Sequence, residues 1–368
     1  MKILITGAAG FVGRNLCAEL RNRGLTDLLE FDVDTDPVLL DEYAATCDFV
    51  FHLAGVNRPK EQSEFMEGNF GFTSELLAKL KLAGNKAPIV LSSSTQAELD
   101  NPYGQSKKAG EELLLDYGKA EGVRIWIYRF PNVFGKWCRP NYNSAVATFC
   151  NNIACGLPIQ VNDPSVMMSL VYIDDVVDAL IGRLAATDAS DAYCVVEPVH
   201  RIALGRIAEL IYSFKESRTT LQVPDLGDMF TKKLYSTYLS YLPTGDFGFK
   251  LKMNVDERGS FTEFLKSPDR GQVSINVGKP GIAKGNHWHH TKNEKFLVVS
   301  GRGVIRFRRI DTEEVIEYFV SGDSLEVIDI PVGYTHNIEN IGDTDLVTVM
   351  WVNEVFDPLY PDTFFLKV

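Results

Sequence analysis

The sequence is poor in positive charge, with 37 Lys and Arg against 49 Asp and Glu among 368 residues and a net charge of −12. Proteins that bind nucleic acid neutralise its phosphates with clustered Lys and Arg, so this balance argues against nucleic acid as a partner. A local basic pocket for a small anionic substrate remains compatible with it.

Long apolar runs are also missing. No stretch reaches the roughly 18 apolar residues of a membrane-spanning helix, and the apolar start "KILIT" is broken at Gly7, too early for a secretory signal. The six cysteines include no C-x-x-C pair, which favours free thiols in a reducing compartment over a disulfide scaffold. These absences predict a soluble cytoplasmic protein without a membrane span.

Over the first 180 or so residues, strand-like apolar runs alternate with stretches whose apolar residues recur every three or four positions. The runs include "KILIT", "FVFHLAG", "PIVLSSS" and "VRIWIYRF". Such alternation predicts βαβ units, and hence a parallel sheet with helices on both faces, an α/β Rossmann domain. Residues 206–240 have a helical pattern and could cap that sheet.

From about residue 249 the pattern changes to short strands separated by Gly, Asp and Pro, among them "QVSINV", "EVIEYFV" and "LVTVMWV". Regular short strands without a long helical window predict an all-β antiparallel barrel or jelly roll. Two domains also fit the chain length. We predict domains at 1–245 and 249–368, with the boundary near 243–248.

In the opening "KILITGAAGFVG", Gly7 and Gly10 follow a predicted strand, and Gly13 stands in the first turn of a helix that begins near Phe11. Gly7, Gly10 and Gly13 would allow a tight turn and a close backbone approach, and the helix N-terminus offers free N–H groups to a diphosphate. The sequence therefore predicts a dinucleotide site.

Two charged residues bear on which dinucleotide binds. Asp32 stands at the end of the second predicted strand, where a carboxylate binds ribose hydroxyls and favours NAD, because it repels a 2′-phosphate. Arg14, directly after the last glycine, could instead neutralise that phosphate. These residues leave the choice between NAD(H) and NADP(H) open.

The stretch "NPYGQSKKAGEELL" places Tyr103 and Lys107 four positions apart at the start of a predicted helix, on one face. A neighbouring ammonium lowers the high pKa of a phenol, which makes tyrosine a usable acid or base. The serines at 92–94 end a predicted strand and could supply a third hydroxyl.

These motifs together resemble the extended short-chain dehydrogenase/reductases, especially those that modify nucleotide sugars. The matching pieces are "TGAAGFVG", "HLAG" (52–55), "SSS" (92–94), "YGQSK" (103–107), "RFPNVFG" (129–135) and "LVYIDDVVDAL" (170–180). The resemblance covers roughly residues 1–240 and implies a Rossmann fold that binds a nicotinamide cofactor.

The resemblance also implies roles for single residues. Tyr103 would be the catalytic acid or base, and Lys107 would lower its pKa and bind the ribose. Ser94 is the preferred third member of the group, ahead of Ser92. Ala54 of "HLAG" would contact the cofactor, and Asn132 would lie near the substrate. The loop between the serine and the tyrosine is shorter here than is usual in that family.

Four of the six histidines lie near one another in the second half, three of them in "HWHHTKNE". His287 and His289 face the same way on a strand, and the following strand returns Glu294 beside them. His336 follows "PVGY". Three imidazoles and a carboxylate predict a site for a divalent metal such as zinc.

The spacing of these residues resembles the cupin superfamily over residues 249–368. Its first signature runs from Gly281 through the histidine pair to Gly301, and the core of its second is "PVGYTHNIEN". The resemblance implies a small barrel that holds the metal through His287, His289, Glu294 and His336. His290 is surplus, and His290 and Lys292 are candidate bases by their proximity to the ligands.

A 4-keto nucleotide sugar would explain why both halves share one chain. Its carbonyl acidifies the proton on C3, which a base in the barrel could remove and return, and the same carbonyl is what a reductase needs. The domain order resembles the bifunctional enzymes of capsular polysaccharide synthesis. That resemblance implies a homodimer that epimerises C3 of a UDP-4-keto-6-deoxy-N-acetylhexosamine and reduces C4 with NADPH, giving UDP-2-acetamido-2,6-dideoxy-L-talose on the route to UDP-N-acetyl-L-fucosamine.

Other classes of function stay open at this stage. The reductase half could be the sole catalyst, with the barrel a metal-stabilised dimerisation module. The barrel could instead be an iron dioxygenase, which metal analysis would reveal. A regulator that only senses NAD(P)H is the third possibility, and the Tyr103/Lys107 pair speaks against it.

Overall fold

The structure is a computed structural model that describes residues 1–186 and 192–368. Its contacts group the chain into two compact units. The first unit comprises Met1–Tyr212 and Asp228–Pro243, and the second comprises Ser213–Gly227 and Thr244–Val368.

The sequence prediction had assigned residues 213–227 to the first domain instead. The structure groups them with the second unit because their backbone pairs with one of its strands: Val223 N donates to Lys266 O at 2.8 Å, and Lys266 N donates to Leu221 O at 2.7 Å. The helical pattern of 206–240 is accordingly interrupted, and two helices flank the pairing segment.

In the first unit the strands lie mostly between helices. The strands are β1 (Ile3–Thr6), β2 (Leu28–Phe31), β3 (Phe49–His52), β4 (Ile89–Ser94), β5 (Ile125–Phe130), β6 (Asn132–Phe134), β7 (Met167–Tyr172), β8 (Tyr193–Cys194) and β9 (His200–Ala203). The helices are α1 (Phe11–Asn22), α2 (Leu39–Thr46), α3 (Ser63–Phe65), α4 (Phe72–Leu82), α5 (Pro102–Glu121), α6 (Ala145–Ala154), α7 (Ile173–Ile181), α8 (Leu204–Thr220, whose end belongs to the second unit) and α9 (Met229–Leu239). A π-helical turn (Met66–Gly71) joins α3 to α4, and short 3₁₀ turns cover Thr95–Glu98 and Gly182–Ala185, while a third, Thr244–Asp246, opens the main part of the second unit.

Six strands form a parallel sheet in the order β2-β1-β3-β4-β5-β8. Alternate residues of β1 pack on opposite faces: Ile3 and Ile5 join a core with Leu16 of α1, whereas Leu4 joins a second core with Leu76 of α4. Both faces are therefore covered by helices, which confirms the predicted Rossmann-like architecture. A separate three-stranded sheet has the order β6-β7-β9.

Helix α5 has well-formed ends that fix the position of its first turns. The Asn101 side chain caps the helix by accepting from Gly104 N at 2.8 Å, Pro102 occupies the first turn, and Gly122 ends the helix with φ 68°. A capping Asn, an early Pro and a terminal Gly with positive φ are favourable signals for a helix. Tyr103 and Lys107 consequently lie one turn apart, directly after the cap.

The second unit is built almost wholly from antiparallel strands. They are β10 (Asn254–Asp256), β11 (Gly259–Ser267), β12 (Gly271–Gly278), β13 (Ala283–Trp288), β14 (Glu294–Ser300), β15 (Arg302–Arg309), β16 (Val315–Ser321), β17 (Val327–Ile330), β18 (Tyr334–Asn340), β19 (Leu346–Val352) and β20 (Phe364–Phe365). One sheet has the order β10-β11-β12-β19-β14-β17 and the other β16-β15-β18-β13-β20. The predicted all-β antiparallel second half is confirmed.

Apolar residues of both sheets form the core of this unit. Phe296 and Val298 of β14, Ile305 and Phe307 of β15 and Ile338 of β18 are among its buried members. Across residues 1–186 and 192–368, no helix has the length and apolarity needed to cross a bilayer.

Candidate functional site

A cavity of about 560 Å³ in the first unit brings together most of the residues predicted for the dinucleotide and for catalysis. The predicted residues that line it are Gly7, Gly10, Phe11, Gly13, Arg14, Ser94, Tyr103, Lys107 and Asn132. Asp32 lines a neighbouring cavity, which shares Ala9 and Arg14 with the first.

The glycine positions leave no space for side chains. A Cβ added at Gly13 would lie 2.1 Å from the carbonyl oxygen of Gly7, so α1 can approach the loop only with glycine there. Gly7 has φ +72°, and its Cβ would lie 2.7 Å from the backbone N of Ala54. Ala54 thus packs behind the loop, while its neighbours Leu53 and Gly55 line the cavity. No side chain caps α1, so its first N–H groups fit a pyrophosphate.

The carboxylate of Asp32 is fixed beside this loop. One oxygen accepts from Ala9 N at 2.8 Å and the other from Val33 N at 2.8 Å. The Arg14 guanidinium donates to Trp137 O at 2.7 Å. Because both charges line the same small cavity, the site fits either nicotinamide cofactor.

Tyr103, Ser94 and Lys107 form the predicted catalytic group. Burial raises the pKa of Tyr103, and a hydrogen bond with Ser94 partly offsets that rise. The Lys107 Nζ lies 6.0 Å from the centre of the phenol ring, and the net shift of the Tyr103 pKa is upward, opposite to the lowering expected from the sequence. Burial lowers the pKa of Lys107 itself to about 8, and the carboxylate of Glu111 opposes this shift.

Sequence reasoning missed the residues that surround Lys107. A Cβ at Gly55 would lie 2.7 Å from both the Lys107 Nζ and the Asn69 Oδ1. Asn69 is buried, and its amide donates to Val56 O at 2.9 Å and to Ser106 Oγ at 3.0 Å. Asn69 therefore holds the loop after β3 against α5, and only its position in the fold reveals this.

A buried ion pair lies one helical turn beyond Lys107. Arg129 Nη2 donates to Glu111 Oε2 at 2.6 Å, the Glu111 side chain is fully buried, and Ser93 Oγ donates to Glu111 Oε1 at 2.5 Å. This cluster ties β4 and β5 to α5, and so fixes the strand end that carries Ser94.

In the second unit the four predicted metal ligands lie together. Each of the four residues offers one ligand atom, and these four atoms lie within 4.8 Å of one another. The residues are His287, His289, Glu294 and His336. Pairing of β13 with β18 places His287 directly opposite His336. Glu294 begins β14, and its Oε2 is 3.1 Å from His336 Nε2.

The electrostatics of the cluster suit a cation. Burial would raise the pKa of Glu294, but the imidazoles of His289 and His336 beside its carboxylate lower it to about 2. Burial lowers the pKa of His287 to about 4, which keeps its imidazole neutral. An ionised carboxylate and neutral imidazoles are the forms that bind a divalent metal.

Two buried ring nitrogens of the cluster lack a hydrogen-bond partner within the described part of the chain: Nε2 of His289 and Nδ1 of His336. The other nitrogen of His289 donates to Asp362 O at 2.6 Å. This bond fixes the tautomer of the His289 ring and leaves its Nε2 free to bind a metal. The donor set therefore fits a zinc-like ion.

Asp362 was not predicted from the sequence. Its carboxylate accepts from the backbone N of His290, Thr291 and Lys292, at 3.0, 2.8 and 2.9 Å. Burial would raise the pKa of Asp362, but these bonds hold it well below its usual range. It fixes the turn between His289 and Glu294 from 70 residues away, where no local pattern signals it.

A cavity of about 920 Å³ opens beside the cluster, and all four ligands line it. Lys292, one of the two candidate bases, also lines it and is buried. His290, the other candidate, is exposed, packs against Trp288 and Phe364, and is not among the lining residues. The guess that His290 acts in the cavity therefore has no support in the geometry.

Comparison with known families assigns both halves. Residues 3–196 match the NAD dependent epimerase/dehydratase family. Residues 254–364 match the polysaccharide biosynthesis C-terminal domain.

Among characterised proteins, the chain is 45% identical over 368 residues to the UDP-2-acetamido-2,6-beta-L-arabino-hexul-4-ose reductase of Pseudomonas aeruginosa, covering 100% of this chain and 99% of that protein. It is 28% identical over 323 residues to UDP-glucuronate 4-epimerase 3 of Arabidopsis thaliana, covering 68% of this chain and 74% of that protein.

Among solved structures, the capsular polysaccharide assembling protein CapF from Staphylococcus aureus superposes with a TM-score of 0.94 at 56% identity, covering 100% of both chains. The UDP-glucuronic acid 4-epimerase from Bacillus cereus in complex with NAD gives a TM-score of 0.51 at 20% identity, covering 58% of this chain and 84% of that one. The second similarity concerns the fold alone.

Proposed function

Since the chain belongs to the NAD dependent epimerase/dehydratase family and continues into a polysaccharide biosynthesis C-terminal domain, we propose that it is a bifunctional nucleotide-sugar enzyme of capsular polysaccharide biosynthesis. Its second half, which we propose to be a cupin, epimerises C3 of a UDP-4-keto-6-deoxy-N-acetylhexosamine. Its first half reduces C4 to give UDP-2-acetamido-2,6-dideoxy-L-talose. The names of the reductase from Pseudomonas aeruginosa and of CapF support this proposal.

The reduction would take place in the cavity of the first unit. NADPH, or NADH as the second possibility, would supply a hydride to C4 when bound over the glycine loop. Tyr103 donates a proton to the C4 oxygen, Ser94 binds that oxygen and the Tyr103 phenol, and Lys107 anchors the ribose. Asn132, which lines the same cavity, positions the sugar.

The epimerisation would take place in the cavity of the second unit. His287, His289, Glu294 and His336 would hold a divalent ion such as zinc, which when bound would act as a Lewis acid toward the 4-keto group. The C3–H bond breaks and re-forms on the opposite face, so the step consumes no cofactor. Lys292 lines this cavity and stays our prediction for the base.

One observation supports a catalytic metal over a structural one. A catalytic metal must be reached by its substrate, so its site opens onto a space, whereas a metal that only stabilises the fold needs no adjoining space. The cluster here borders a cavity of about 920 Å³, which falls in the range of ligand pockets, roughly 300–1,000 Å³. A metal that only stabilised a dimerisation module would not require this volume.

The test is incubation of the full chain with the UDP-4-keto-6-deoxy-N-acetylhexosamine in deuterated water, with and without NADPH. We expect deuterium at C3 without the cofactor and a C3-deuterated 4-hydroxy product with it, both followed by mass spectrometry and NMR. Glu294→Gln should abolish the exchange at C3 while reduction at C4 persists.

Two results would contradict the proposal. Absence of deuterium at C3 in the metal-loaded wild type would leave a single-activity 4-reductase with a structural metal. Loss of folding in Glu294→Gln together with unchanged exchange in its folded fraction would assign the metal the same structural role. We also propose that the enzyme is a homodimer, to be tested by sedimentation, and that its two domains divide near residues 245–249, apart from the segment 213–227 that pairs with the second unit.

A further inference from the structure

One wall of the cavity in the second unit is polar where a barrel interior is usually apolar. Gln272, Ser274 and Asn276 alternate along β12, are buried and line the cavity, whereas Val273, Ile275 and Val277 between them are partly exposed. This is the reverse of the usual orientation, in which the apolar set of a strand faces the core. The three polar residues are hereafter called the polar wall.

The wall contains a hydroxyl that needs a partner. Ser274 is fully buried, and its Oγ has no hydrogen-bond partner within the described residues. Burying a hydroxyl without a hydrogen bond costs free energy, because the group loses its bonds to water and gains none. Because Ser274 lines the cavity, a ligand with hydroxyl or carbonyl oxygens would remove that cost.

Lys284 adds a cation to the same space. The register of β13 shifts between Gly285 and His287, so Lys284 lies opposite Ile338 and His287 opposite His336, two residues apart on β18. Residues two apart on a strand share a face, and Lys284, Ile338, His287 and His336 all line the cavity. The shift thereby brings Lys284 onto the face of the metal ligands.

The ammonium of Lys284 has capacity left for a ligand. Its Nζ donates to Val277 O at 2.8 Å and to Asn276 Oδ1 at 3.0 Å, and a third contact, to Ser260 O, lies at the 3.5 Å limit. An ammonium has three hydrogens, so the two short bonds fix its position against the polar wall, and the long third contact can be exchanged for a bond to a substrate oxygen.

The polar wall and the metal ligands line the same cavity, and the distance between them is large enough to hold a sugar ring. Gln272 pairs with Val352 and Val352 with Glu294, so Gln272 and Glu294 lie two strands apart in one row. With about 4.8 Å between neighbouring strands, their Cα atoms are on the order of 10 Å apart. Lys284 and His287 are separated by about 7 Å, one side-chain repeat of the strand.

We propose that the polar wall and Lys284 form the sugar-binding side of the epimerase cavity, and that Lys284 is a catalytic residue. The ligand class is a polyhydroxylated ring with a ketone. The Lys284 ammonium donates to the oxygen that becomes negative when the neighbouring carbon loses its proton, and it keeps its three hydrogens throughout. This inference rests on the proposed function.

The first test is the rate of deuterium entry at C3 without NADPH in Lys284→Met. We expect a fall of about 100-fold or more, the usual effect of losing one donor to a developing oxyanion, with unchanged zinc content and unchanged C4 reduction of an already epimerised ketone. Lys284→Arg should recover part of the rate. The matched control is Lys279→Met, because Lys279 is exposed, pairs with Asp345 and lies outside the cavity lining.

The second test counts sugar sites by calorimetry with the UDP-linked sugar. We expect two per wild-type chain, one in each unit, and one per chain in the double variant Ser274→Val, Lys284→Met. Wild-type exchange in Lys284→Met would refute the catalytic role while leaving the proposed epimerase intact. A wild type that binds two sugars but shows no exchange would refute the epimerase and retain the sugar wall. One sugar per chain in both proteins would refute the wall.

Discussion

At the scale of single residues, burial sets the chemistry of the reductase group. The pKa of Tyr103 is raised by burial and that of Lys107 is lowered to about 8 by burial. Both shifts disfavour the charged forms, because the cavity removes water from both groups. The Tyr103 phenol therefore stays protonated. A residue that donates a proton to the forming alkoxide must be in this state.

Tyr103→Phe removes this proton donor. We expect C4 reduction, followed as NADPH consumption, to fall about 10²- to 10⁴-fold, the range of general acid catalysis. Deuterium entry at C3 should remain, because that chemistry belongs to the other unit. Tyr117→Phe is the matched control, since Tyr117 lies on the same helix and packs in the core instead of the cavity. Equal losses in the two variants would contradict the role of Tyr103.

The buried imidazole of His52 makes the stability of the first unit depend on pH. Its imidazole lies between Thr6 Oγ1 at 2.7 Å and Thr73 Oγ1 at 2.8 Å. Thr73 uses its own hydrogen on Asn69 O, so His52 Nε2 donates to Thr73 and Nδ1 accepts from Thr6. Burial lowers the pKa of His52 to about 3.

The sign of the pH effect follows from that direction. The unfolded chain takes up a proton at His52 below about pH 6.5, which the folded protein resists down to about pH 3, so stability is full above pH 6.5 and falls below it. We expect the contribution to be about 1.4 kcal/mol per pH unit. Urea unfolding of the wild type between about pH 7 and pH 5 should give a steeper decline than that of His52→Asn, and parallel declines would disprove the assignment.

At the scale of elements, the irregular part of β13 brings the four histidine and glutamate side chains of the second unit together. Gly285 has φ +110°, and Asn286 also has a positive φ, 61°. A Cβ at Gly285 would lie 2.8 Å from His336 O and 2.9 Å from the Cα of Asn337. The close contact of β13 with β18 therefore depends on this glycine, and it holds His287 beside His336.

Gly285→Ala should separate the two strands and displace His287. We expect zinc affinity to fall by about 10- to 100-fold, the usual effect of disturbing the support of a metal ligand. The measurement is zinc content after equilibration with a competing chelator. Gly278→Ala, where an added Cβ would meet nothing within 4 Å, should bind zinc like the wild type. Normal binding by Gly285→Ala would show that the irregularity is dispensable.

At the scale of the whole molecule, each unit carries its own cavity and its own chemical groups. Each reaction of the proposed pair can therefore be removed separately. The shared substrate feature is the 4-keto group, which acidifies C3 for one unit and accepts hydride in the other.

Removal of the metal by a chelator should affect only one of the two activities. We expect C3 exchange to disappear and the barrel to unfold at a lower temperature, because a bound metal stabilises the folded state by mass action. NADPH-dependent reduction of the epimerised ketone should continue, and zinc should restore the exchange. Loss of both activities on chelation would instead indicate that the metal maintains the whole protein.

Local motifs gave the parts of both sites whose residues are close in the chain. The three glycines, the Tyr103/Lys107 pair and the "HWHHTKNE" cluster depend on strand and helix periodicity, and the structure brings each together. Asn69 and Asp362 were missed because they act on segments 13 and 70 residues away. No periodic pattern carries that information.

The strand "QVSINV" shows most clearly what could not be predicted from the sequence alone. Its alternation determined that β12 has one polar and one apolar face, since successive side chains of a strand point to opposite sides. Only the tertiary structure decided which face lines the cavity, because pairing with β19 at Asn276 opposite Thr348 fixes the orientation of the whole strand. An apolar face would be expected inside, and the polar face is there instead. The sequence determined the change from an α/β half to an all-β half and the local motifs of each, whereas strand register, which depends on contacts between distant segments, decided which residues line the cavity.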